Sequence, residues 1–188
     1  GIPVGEHKQY SIETAQAIGT ARIISGVGPS DLDTKDKIKN VCDQFNEASA
    51  SAGEYGMTFG IHNHWWEFLK VDGVYVYETM LDNLVPEVFF EVDVYWVQTG
   101  GPDPAAVVSQ LGARAPILHI KDGPCTREDD MTAVGEGIVD ISGVVDAGKD
   151  HTQWHIVELD RCATDMFEAV QKSIDYMIDH GLGTGKHK

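Results

Sequence analysis

Five short runs rich in Val, Ile and Phe recur along the chain at intervals of roughly 30–40 residues. That is the length of a strand plus the crossover helix that sets down a parallel neighbour. The runs cover residues 21–25, 57–62, 88–94, 116–120 and 154–159. The segments between them carry helical spacing. In 36–52, Ile38, Val41, Cys42, Phe45 and Ala48 fall on one stripe; 103–111 follows two prolines; 141–147 reads as a short helix. In 164–180, Phe167, Val170, Ile174, Met177 and Ile178 share a face, and Gly181 stops the helix. A helical piece over 12–18 precedes the first run. The alternation predicts an α/β fold, with a parallel sheet and helices outside it. It leaves two closures open, a doubly wound sheet or part of a (β/α)8 barrel. The GVGPS stretch at 26–30 lacks the spacing of a phosphate-binding turn, which weighs against the nucleotide-binding open sheet.

Polar residues inside such strands are costly, and they gather at the C-terminal ends, where α/β sites lie. The second run ends in GIHNHWWEF (60–68), the third reads FFEVDVYW, the fourth ILHIKDG and the fifth HIVELDR. Side chains alternate along a strand, so His62 and His64 share a face, as do Glu91, Asp93 and Tyr95, His119 and Lys121, and Glu158 and Asp160. If those faces converge, His62 or His64, Asp93, His119 and Glu158 form a mixed N/O set suited to Mn, Co, Zn or Mg. Each residue alone has a plainer explanation. A strand-end His is usually hydrogen-bonded structure, Asp93 could cap a helix, and Glu158 could pair with Arg161 or Lys121. Trp65, Trp66, Tyr95 and Trp96 crowd the same level, either as packing under loops or as a wall for a sugar ring.

The net charge of −16, from 30 acidic and 14 basic residues, excludes nucleic acid as the expected partner, because phosphate binding relies on Lys and Arg. No stretch approaches the roughly 18 apolar residues that cross a bilayer, and no signal-peptide pattern opens the chain, so no membrane partner is expected. Three widely spaced cysteines, Cys42, Cys125 and Cys162, read as free thiols in a reducing, cytoplasmic compartment, with Cys42 in a helix core.

HNHWWEF, FFEVDVYWVQTGGPDP, ILHIKDG, AVGEGIVD and HIVELD, in this order, strongly resemble the sugar phosphate isomerase/epimerase family of xylose isomerase-like TIM barrels. The resemblance runs over about 12–180, within a single partial barrel domain spanning 1–188, and leaves 181–188 as a tail. It implies a (β/α)8 barrel represented here by strands four to eight, with the first three βα units missing. An open barrel exposes strand edges. The expected partner is therefore a second copy, as a homo-oligomer or domain-swapped dimer, or else a missing N-terminal segment. The resemblance also implies a divalent metal (Mn, Co, Mg or Zn) on His62, Asp93, His119 and Glu158, and a small carbohydrate substrate. The expected reaction is isomerase- or epimerase-type proton abstraction next to a carbonyl, through an enediolate. Glu158 is the expected base, His64 the opposite acid/base and Lys121 the oxyanion partner. Glu67, Trp65, Trp96 and Glu136 are the substrate-contact candidates. Ketose epimerases carry a glutamate where this chain has His62. This favours a wider keto-sugar chemistry, with a dehydratase, lyase or hydrolase as the alternative. A truncated barrel acting only as a binding or assembly subunit is the non-catalytic reading. No basic cluster near these motifs argues for a phosphate on the substrate.

Overall fold

The computed structural model describes residues 1–185; the last three positions of the expected tail, 186–188, lie outside the described residues. The chain divides into two compact units, Gly1–Glu91 and Val92–Lys188, and the boundary falls inside one strand.

The first unit begins with α1 (Lys8–Ile18), then β1 (Arg22–Ser25), α2 (Lys35–Gly53) and β2 (Thr58–His62). A two-residue-per-arm hairpin, β3 (Lys70–Val71) and β4 (Val74–Tyr75), leads into α3 (Val76–Asn83), and β5 (Phe89–Asp93) starts in this unit. Neither the hairpin nor α3 stands out in the sequence pattern. In sheet order the unit runs β1-β2-β5, all parallel, with Arg22 opposite Thr58 and His62 opposite Glu91.

The helix predicted for 36–52 forms, capped by Thr34, whose hydroxyl accepts from Lys37 N at 3.3 Å. Its expected stripe of Ile38, Val41, Cys42, Phe45 and Ala48 is buried. Phe45 packs on Phe59 of β2 at 5.4 Å between ring centroids. Full burial of such a ring stabilises by about 1.5–3 kcal/mol. Burial pushes the Cys42 thiol up to about 12, so it packs as an inert hydrophobe. Gly60 has a steric reason: a Cβ there would lie 2.3 Å from the Phe89 ring on the neighbouring strand.

The second unit takes up β5 at Val92 and continues with α4 (Val94–Gly100), α5 (Pro104–Leu111), β6 (Ile117–Ile120), α6 (Ile141–Gly148), β7 (Trp154–Val157) and α7 (Met166–Asp179). Its sheet order is β5-β6-β7, with β6 and β7 parallel and His119 opposite Ile156. The third strand run was expected to reach Val94 and to carry Tyr95 on its face. Instead the strand stops at Asp93, whose side chain caps α4, and Tyr95 is a fully buried helical residue. The last helix ends at the αL glycine Gly181, as expected, with φ +68°. Its buried stripe differs from the expected face. Ala169, Ser173 and Met177 point inward, while Phe167, Ile174 and Ile178 are exposed. Among the described residues no helix is long and apolar enough to cross a membrane.

Candidate metal centre

The first unit supplies the residues that follow β2. Regular pairing ends at His62, which lies opposite Glu91; its Nδ1 is 3.2 Å from Glu91 Oε2. His64 lies past the strand. Its ring stands edge-on to His62, 5.0 Å away, and stacks on Trp66 at 4.1 Å. Trp66 is anchored in turn, because its indole N–H donates to Val27 O at 3.0 Å. A single 3-10 turn, Trp66–Phe68, brings Glu67 back under the loop, where Oε2 accepts the His64 backbone N–H at 2.8 Å. Glu67 is buried. Burial pushes its carboxyl up to about 8, against the lowering effect of that N–H. Trp65 is half-buried and meets Trp66 edge-on at 5.5 Å.

The second unit holds a denser group at the ends of β5, β6 and β7. Asp93 closes β5 and is completely buried. Its Oδ1 accepts the Trp96 N–H at 3.1 Å, so Oδ2 is the oxygen turned to the polar group. Lys121 Nζ lies 2.9 Å from that oxygen, and His119 Nδ1 lies 4.0 Å from it. Glu158 Oε2 receives both the Lys121 ammonium and His119, the latter at 3.4 Å. Asp160 Oδ2 completes the ring around Lys121 Nζ at 2.9 Å. The Trp96 ring covers the ammonium at 5.9 Å and is itself buried. Three carboxylates, one ammonium and one imidazole thus share a small region that grades from fully buried Asp93 to half-exposed Asp160.

Electrostatics keep Glu158 and Lys121 charged. Burial alone would raise the Glu158 carboxyl; hydrogen bonding from His119 and Lys121, with the lysine charge, outweighs it and holds the group at about 2. Burial likewise opposes the Lys121 charge. Asp93, together with the bonds to Glu158 and Asp160, outweighs it and keeps the ammonium above the usual lysine range. The donor set fits a divalent ion. Asp93, His119 and Glu158 offer two carboxylate oxygens and one imidazole nitrogen with separations of 3.4–4.0 Å at His119, a hard and borderline set that Mn, Co, Zn or Mg accept.

Other expected residues fall elsewhere. Glu136 is exposed and lies 3.9 Å from Lys172 of α7, so it pairs on the surface. Arg161, a possible partner for Glu158, instead donates to the carbonyls of Arg127 and Asp129. The sequence reading passed over Asp122. This buried carboxylate accepts from four backbone N–H groups, those of Gly123, Gly135, Gly137 and Val139, at 2.8–3.1 Å. It folds the AVGEGIVD loop around itself, and a Cβ on Gly137 would sit 2.1 Å from its Oδ1. Two separate sequence cues, the Asp122-Gly123 step and the GEG stretch at 135–137, are its only signal.

Comparison with known proteins agrees with this architecture. The family described as xylose isomerase-like TIM barrel matches residues 7–180. Among solved structures, a sugar phosphate isomerase/epimerase from Parabacteroides distasonis is 26% identical, with TM-score 0.80, over 97% of this chain and 70% of that one. The probable 3-DHS dehydratase AsbF of Bacillus anthracis is 12% identical, with TM-score 0.73, over 93% and 69%. The IOLI protein, solved with a zinc atom, is 17% identical, with TM-score 0.64, over 94% and 71%. These last two likenesses show the fold alone. No curated protein matches the sequence.

Proposed function

This chain belongs to the xylose isomerase-like TIM-barrel family, and on that premise we propose that it serves a divalent-metal-dependent enzyme of the sugar isomerase/epimerase type. The substrate would be a sugar or keto-sugar, and the reaction would move the proton on the carbon next to its carbonyl. One observation carries the reading: Asp93, His119 and Glu158 meet at the ends of successive strands, with Glu158 held ionised by His119 and Lys121.

The ligands would be Asp93, His119 and Glu158, with His62 as the fourth that the family resemblance implies. When bound, the ion would act as a Lewis acid toward adjacent substrate oxygens. Glu158, ionised throughout the neutral range, would accept the proton next to the carbonyl. His64 would be the second acid/base, a role that suits an imidazole. The Lys121 ammonium would hold the oxygen on which charge develops. Trp65 and Trp96 would offer ring faces; Glu67 is the remaining contact candidate, through the loop it braces.

A second reading, loss of a β-substituent as in a dehydratase, is favoured by His62. With a histidine at that position, Glu158 is the one carboxylate of the usual opposed pair, and elimination needs only one carbon base.

We also place the working molecule in a reducing, cytoplasmic setting, supported by three free thiols. A second copy or additional N-terminal βα units would complete it. Exposed Trp154 and Ile156 on β7, with Ile174 and Ile178 on α7, support such a covering partner.

The test is solvent-proton exchange into the carbon next to the carbonyl of a panel of ketoses, followed by NMR in heavy water with Mn added. Glu158→Gln should lower the exchange rate by about 10²-fold or more. Exchange undiminished in that variant removes the base from this residue. A product lacking water would select the elimination reading.

A further inference from the structure

We propose that Lys121 is a built-in rival of the divalent ion and that Asp160 is the positioning residue that draws it aside. The proposal rests on the metal reading above and adds a control on the affinity of that site.

The argument is one of shared atoms. Asp93 has one oxygen bonded at the start of α4, through the Trp96 N–H at 3.1 Å. Oδ2 is the oxygen that faces His119, and Lys121 Nζ lies 2.9 Å from it. At Glu158 the same holds for Oε2, which meets both Lys121 and His119. The ammonium therefore bonds the very two oxygens that a metal would take. Two cations on one pair of carboxylate oxygens repel, and burial strengthens the repulsion because the site has few water dipoles to screen it. Asp93 and Lys121 are 0% and 1% exposed at the side chain, so neither can swing out to solvent.

Asp160 gives the ammonium a third anchor at 2.9 Å, on the outer side of the group, where its own side chain is 41% exposed. A lysine held there can keep its bond to Asp160 while yielding Asp93 Oδ2 and Glu158 Oε2. Its four-carbon stem with rotatable donors makes that shift small. Asp160 touches no substrate atom in this account and acts only through Lys121.

The experiment is Mn titration by calorimetry on the full chain and its variants. Lys121→Met should bind Mn about 10-fold or more tightly than the parent, since one competing positive charge is gone. Lys121→Gln, which keeps a neutral donor and much of the length, should shift affinity the same way and serves if the Met variant does not fold. Asp160→Asn should weaken binding about 3–10-fold in the parent, yet change it less than about 2-fold in the Lys121→Met background, because coupled residues do not add. Unchanged or weaker binding in both Lys121 variants overturns the proposal. So does an Asp160→Asn effect of equal size in both backgrounds, which would make Asp160 a remote charge only. His119→Ala separates the two levels of the account. If it abolishes binding while the Lys121 variants bind like the parent, the metal site stands and the rivalry falls. If no variant and no parent binds Mn, both fall.

Discussion

Asp93 divides its two oxygens between two tasks: Oδ1 starts a helix, and Oδ2 faces Lys121 and His119. Substitutions separate the tasks. Asn keeps a capping oxygen, and Ala removes it. We therefore expect Asp93→Asn and Asp93→Ala both to lose metal binding. The Ala variant should be less stable than the Asn variant by about 1 kcal/mol, the usual value of a cap, read from urea unfolding. Glu67 carries a pH prediction. Its carboxyl sits at about 8 in the folded chain against an ordinary 4.5. The folded state thus binds the proton more tightly than the unfolded state. The contribution to stability is complete below about pH 4.5 and is lost as pH rises towards about 8. Thermal unfolding across that window should show a declining Tm, and Glu67→Gln, a fixed stand-in for the protonated form, should flatten the slope. An unchanged slope would mean that the acid is not buried as described. At this scale much of the site was legible. His119, Lys121 and Glu158 are visible because polar residues at the ends of apolar strand runs need a reason. Asp93 allowed two explanations, helix cap and ligand; the cap is observed, and Oδ2 faces Lys121 and His119. Asp122 and the bond from Asp160 to Lys121 depend on which atoms meet across elements, which one-dimensional spacing does not encode.

Elements show the same boundary between pattern and packing. Strands and helices with long periodic stretches, such as α2, stand within a residue or two of their expected limits. The β5–α4 junction does not, because FFEVDVYW is apolar under either period and only the Asp93 cap decides where the strand becomes a helix. The face of α7 was misassigned for a different reason. Its apolar side chains exceed what this chain covers, so Phe167, Ile174 and Ile178 remain exposed while a narrower stripe of Ala169, Ser173 and Met177 packs. The 133–139 loop depends on one carboxylate. Asp122→Ala should release four N–H bonds, each to a charged acceptor, and amide hydrogen exchange at Gly135, Gly137 and Val139 should accelerate selectively. Protection at those three amides that survives the substitution would show that the loop is held by other contacts.

For the whole molecule, the formal charge of −16 acts in one direction: it favours a cation and disfavours an anionic partner. The parallel α/β class was legible from strand spacing, while the barrel closure rested on the motif resemblance, and the family match over residues 7–180 agrees with it. The exposed apolar side chains of β7 and α7 carry a prediction at this scale. Trp154→Lys with Ile156→Lys should leave the isolated chain folded but abolish any self-association seen by sedimentation. The account turns most directly on where a divalent ion binds. Anomalous diffraction at the Mn edge, from crystals grown with Mn, locates it without reference to any reaction. The account predicts a single strong peak within about 2.0–2.3 Å of Asp93 Oδ2, a His119 ring nitrogen and a Glu158 oxygen. A peak on other residues, or no peak in crystals that diffract well at saturating Mn, would contradict it.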